Sequence, residues 1–206
     1  TGGIVYIAAG SYAGQAFIGR DMDLVPSSDV SLTPPATQTT VTIAESSSVF
    51  SPIVFVYGGT MDAARNVTGA GITNADVVGF DIDGQNKAAS SPRFVGILLR
   101  NVEGTVSGNT IHDMYDADGQ GNGPQTFGVL VYGDSDVSLL SNVISEFSRG
   151  GIGVVGQEQK DADRSVASAY DRGVNYYDVA PSYGKGEAEE KLGPALRPYR
   201  KNVFLA

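Results

Sequence analysis

Apolar residues in this chain come in short runs broken by Gly, Asn, Asp and Ser, and one such run keeps returning. The stretch Gly96 to Asn101 aligns glycine to glycine with Gly128 to Gly133 and with Gly151 to Gly156, and Ile53 to Gly58 fits as an earlier copy. A second run alternates with it, ending first at Ile82, then at Ile111, then at Ile144. Ile82 to Ile111 spans 29 residues, Ile111 to Ile144 spans 33, and Gly128 to Gly151 spans 23. Periods of roughly 20 to 50 residues mark stacked units. No helical period lies between the runs, so they predict equivalent strands laid one over another, with Val, Ile and Leu inward and polar residues outward.

A strand repeat without crossover helices predicts a mostly-β fold class: a right-handed parallel β-helix, or solenoid, over residues 1–157. The runs Gly108-Asn109-Thr110-Ile111 and Ser141-Asn142-Val143-Ile144 resemble those of right-handed parallel β-helix proteins of the pectate-lyase-like type. That resemblance implies an extracellular or cell-surface protein that binds or processes polysaccharide or oligosaccharide, as a lyase or glycoside hydrolase. The alternative is a structural or adhesive solenoid without chemistry.

The texture changes after the polar run from Gln157 to Asp163. Residues 158–206 read as helix, strand, helix, strand, with Asp163 as N-cap of a helix through Tyr170 and Gly173 as its stop. Pro194 falls inside the second helix, where it shortens or kinks it. The run Gly173 to Gly184, continued by Glu187 to Gly193, resembles the signature of the aldo-keto reductase family. The resemblance implies that Asp178 corresponds to the family's catalytic aspartate and Tyr183 to its proton-donating tyrosine. The family's lysine follows the strand matched by Val203 to Ala206, and its histidine has no counterpart, since the lone His112 lies in the other texture. With two of four groups matched, Asp178 and Tyr183 are expected to be inert and NADPH, the family's cofactor, is not expected to bind. The segment is expected to cap the solenoid through Val166, Ala169, Tyr170, Leu192, Ala195 and Leu196, and the two textures together suggest a shuffled, metagenomic or engineered chimera.

Charge narrows the partners. Fourteen basic residues against 23 acidic ones give a net charge of −9, which argues against nucleic acid or an anionic membrane surface. No cysteine is present, so thiol and disulfide chemistry are excluded, and no apolar run reaches the roughly 20 residues needed to span a bilayer.

Two long segments, 83–93 and 112–126, leave the same corner of successive repeats and should be neighbours. They carry Asp83, Lys87 and Arg93 in the first, and His112, Asp113, Asp116 and Asp118 in the second. A pair of carboxylates such as Asp83 and Asp113 suits acid–base work, Lys87 or Arg93 suits a uronate, and His112 suits a base. Asp116-Ala117-Asp118-Gly119 has the oxygen spacing of a calcium loop, with a solvated acidic turn as the other reading. Tyr57 and Tyr132 also align, as a sugar-stacking surface or as turn packing.

Overall fold

The computed structural model describes residues 2–44, 46, 48–88, 93–115, 125–155, 159–180 and 186–206. The chain divides into two compact units, Thr1–Val155 and Gly156–Ala206.

In the first unit the chain visits three sheets in rotation. One sheet orders Gly3–Ile7, Met22–Pro26, Val77–Val78 and Val102–Ser107, with Asp136–Leu140 added beside the last. A second orders Gly10–Ala13, Val30–Thr33, Asp81–Asp83, Thr110–His112 and Val143–Ile144. The third carries Ala16–Ile18, Ser48–Tyr57, Phe94–Arg100, Phe127–Tyr132 and Gly150–Val155. The pairings named so far are parallel, and Ile82, Ile111 and Ile144 fall in one register, so that the buried Ile82 and Ile111 are followed by the half-buried Ile144. Burial of Ile82, Ile97, Ile111, Val106 and Val129 in one cluster joins the sheets.

Two features interrupt this regularity. Val41–Ile43 runs antiparallel to Ser48–Tyr57, and Thr60–Met61 runs antiparallel to Asn66–Thr68. They enclose a second cluster around Val41, Phe50, Phe55 and Leu98. Tyr132 is buried in it, its ring 5.4 Å from Phe50, and Tyr57 lies 5.0 Å from Phe55, so both tyrosines pack against aromatic neighbours.

Buried polar groups hold the turns. Asn109, 1% exposed, donates from Nδ2 to the Val77 carbonyl and to Asn142 Oδ1, and accepts the Phe80 N–H. Arg100, 2% exposed, donates to the carbonyls of Gly58 at 2.7 Å and Gly69 at 2.9 Å. Each satisfies backbone oxygen or nitrogen that a bend has taken out of the sheet ladder.

The second unit is α/β. Helix α1 spans Gln159–Asp171, starting before the expected cap at Asp163, and ends where Gly173 takes φ 89 and donates to the Tyr170 carbonyl. Helix α2 spans Glu187–Leu196 with Pro194 in its last turn. Strands Tyr176–Tyr177 and Phe204–Leu205 pair in parallel, as a strand–helix–strand crossover requires.

The expected fold class, a single mostly-β right-handed β-helix solenoid with the C-terminal segment as its cap, is corrected on these points. Parallel sheets are joined by antiparallel pairs, and an α/β unit follows as a compact body of its own. Of the residues expected to cover a solenoid end, Val166, Ala195 and Leu196 are buried in this unit's own core with Val203, and Tyr170 and Leu192 pack against that core.

Candidate functional site

The register of the second sheet builds a polar cluster outside the buried isoleucines. Asp83 pairs with His112 across adjacent strands, and Asp81 lies two residues before Asp83 on the same outward face. Asp113 follows in the left-handed region, φ 52, which turns its carboxylate back onto the imidazole. His112 Nδ1 lies 2.8 Å from Asp113 Oδ2, and Nε2 lies 2.9 Å from Asp81 Oδ1. Glu146, one strand further on and also left-handed at φ 55, accepts the Asp113 N–H at 3.4 Å. Gly84 lets these backbones close up, since a Cβ there would stand 2.4 Å from the Asp113 carbonyl oxygen.

Burial by itself lowers the pKa of His112. The hydrogen bonds to Asp113 and Asp81, with the charges of Asp81 and Asp83, outweigh it and hold the imidazole above its ordinary value. Asp81 also lines a groove of about 460 Å³ with Ser11, Asp29, Ser31 and Thr110.

Asp83, His112 and Asp113 thus meet, while the other corner residues do not join them. Lys87 is exposed and donates to Gln85 Oε1 at 2.5 Å, and Arg93 lies over the Phe50 ring at 5.4 Å. Asp116 and Asp118 lie outside the described residues. Asp81 and Glu146 went unnamed in the sequence reading. Period-two alternation from Asp83 finds the first, whereas the second lies beyond the strand that ends at Ile144 and arrives through a left-handed turn that spacing does not encode.

In the second unit Asp178 is exposed and directly follows Tyr176–Tyr177. It sits at the carboxyl end of a parallel strand, where α/β folds place their ligands. Tyr183 lies outside the described residues. In the same unit a groove of about 380 Å³ is lined by Asp163, Arg164, Ala167, Pro194, Ala195 and Tyr199. Helix α2 begins after Gly186, φ 100, with Glu187, Glu189 and Glu190 in its first turn. An acidic first turn repels phosphate where a bare helix start would attract it. The pyrophosphate of a nicotinamide dinucleotide therefore does not fit this helix start.

Sequence comparison accounts for this unit. Residues 150–206 match the model of the aldo/keto reductase family. The C-terminal stretch is similar to aldo/keto reductases. The match begins at Gly150, the first residue of the last strand of the first unit. Aldo-keto reductase YhdN of Bacillus subtilis (strain 168) is 38% identical over 53 residues, which cover 25% of this chain and 16% of that protein. The chain thus spans about a sixth of the length of the curated relative it matches. No solved structure matches.

These findings support the reductase-like segment. They are consistent with part of an α/β barrel there, which further corrects the expected β-helix fold class. The pectate-lyase-like resemblance is corrected as well, because the family match is to reductases, and the polysaccharide-processing and secreted expectations find no support in the comparisons. Calcium gains no support. NADPH, which the sequence reading set aside, is the cofactor that the recognised family implies.

Proposed function

We propose that the protein acts in carbonyl reduction of the aldo-keto type, with Asp178 and Tyr183 in its second unit as the acid half of the site. The observation that carries this is the family match over residues 150–206, which spans both residues. Asp178, exposed at the carboxyl end of its strand, stands where such a site opens. In this role the Tyr183 phenol gives its proton to the carbonyl oxygen, and Asp178 serves as a hydrogen-bond acceptor at the site. NADPH, when bound, supplies the hydride.

The test is NADPH oxidation by the full chain against a panel of small aldehydes and ketones, followed at the cofactor's absorbance. The expected result is slow turnover of at least one aldehyde that falls at least a hundredfold in Tyr183→Phe, in line with the loss of a general acid. Turnover unchanged in Tyr183→Phe, or absent across the panel, overturns the proposal.

A further inference from the structure

The His112 cluster lies in the first unit and owes nothing to the reductase similarity. One donor atom from each of Asp83, His112 and Asp113 lies within 4.8 Å of the other two. A tetrahedral ion with bonds of ~2.1 Å needs its ligands about 3.4 Å apart, so small side-chain rotations close the set. All three side chains are half-buried and fixed by strand register or by a left-handed turn, which lowers the cost of gathering them.

A second observation comes from the protons. Both imidazole nitrogens face carboxylate oxygens, Asp81 at 2.9 Å and Asp113 at 2.8 Å. A neutral imidazole carries one N–H, so one of these contacts sets a nitrogen lone pair against an anionic oxygen. Either a second proton or a metal cation between the two atoms removes that conflict. Asp81, Asp83 and Asp113 also surround one imidazole with three carboxylates, while Lys87 is directed to Gln85 and Arg93 to Phe50.

We propose that Asp83, His112 and Asp113 bind a divalent first-row transition metal ion of the zinc type. Nδ1 of His112 is the nitrogen ligand. Asp81 takes the Nε2 proton and fixes the ring, as the carboxylate behind a metal-bound histidine does. An imidazole nitrogen beside two carboxylates selects zinc over calcium and magnesium, which take oxygen alone. Three protein ligands leave at least one coordination position for water or a small anion.

His112 is the sole histidine of the chain, so its ring resonances report the site without ambiguity. Zinc chloride is titrated into the full chain by calorimetry, in parallel with nitrogen-15 NMR of the imidazole. Saturable one-to-one binding that shifts the His112 ring signals at the same stoichiometry is expected. The dissociation constant should rise at least tenfold in Asp83→Asn and in His112→Gln, with unchanged circular dichroism. Asp81→Asn, which leaves all three ligands in place, should weaken binding about tenfold. Ring signals that stay put at saturating zinc overturn the site. So does affinity unchanged in Asp83→Asn and His112→Gln. Calcium competing as well as zinc overturns the assigned class of ion.

Discussion

Replacing Asn109 by alanine should be among the costliest polar truncations in the first unit. Its Nδ2 donates to the Val77 carbonyl at 3.0 Å and to Asn142 Oδ1 at 2.9 Å, and its Oδ1 accepts the Phe80 N–H at 3.0 Å. Val77 and Phe80 are each 1% exposed, so water cannot readily replace the lost amide. Leaving one buried donor and one buried acceptor unsatisfied costs about 1–3 kcal/mol apiece, and the carbonyl's second lone pair puts its share at the low end. The expected loss is therefore about 2–4 kcal/mol. Asn142 offers the comparison. It donates to the Val106 carbonyl at 2.8 Å and its Oδ1 accepts the Asn109 N–H at 3.1 Å, but its own side chain is half-buried, so water can reach part of what it leaves, and Asn142→Ala should cost about 1–2 kcal/mol, less than Asn109→Ala. Denaturant unfolding gives the totals, and hydrogen exchange at the Phe80 amide localises the effect. A loss below ~1 kcal/mol for Asn109→Ala, or one no larger than for Asn142→Ala, would refute the reasoning.

Other outcomes follow from the same structure. Arg100→Met removes two charge-assisted donors from the Gly58 and Gly69 carbonyls and should cost about 3 kcal/mol in denaturant unfolding. Gly58→Ala places a Cβ 1.9 Å from the Gly71 carbonyl oxygen and 2.6 Å from that of Asn101, backbone atoms that cannot step aside. Its melting temperature should fall further than that of Gly3→Ala, where a Cβ meets nothing within 4 Å. In buffer with a chelator, proton NMR should find His112 titrating above 6.5, and Asp81→Asn should move it down. Because the folded-state pKa is raised, this stabilisation is complete below the unfolded value near 6.5 and is lost as pH climbs through the folded value. The first unit should thus melt lower at pH 8.5 than at pH 6, by a margin that shrinks in His112→Gln.

The strand register was legible because the inward positions of stacked strands must be apolar. Spacing alone set Ile82, Ile111 and Ile144 in line, and they pair in that order. The meeting of Asp83 with His112 follows from the same register, since each stands one residue beyond its isoleucine. Left-handed turns were not legible. Asp113 at φ 52 and Glu146 at φ 55 reach the cluster through backbone conformations that side-chain periodicity does not encode. Arg100 was also hidden, because a buried guanidinium needs two bent carbonyls from distant turns, Gly58 and Gly69, to make its burial tolerable. The reductase similarity could be read from a dense local signature. The role of the surrounding apolar residues could not, since an amphipathic helix face does not declare whether it covers another body or its own core. Val166 and Leu196 turn out to do the latter.

The proposed function rests on cofactor binding before it rests on turnover, and fluorescence of NADPH titrated with the full chain tests it most directly. Saturable change in nicotinamide emission, with a dissociation constant in the micromolar range and competition by NADP⁺, is the result the reductase proposal predicts. Emission that stays that of free NADPH up to millimolar protein would contradict it and leave the match over residues 150–206 as similarity of sequence without the activity.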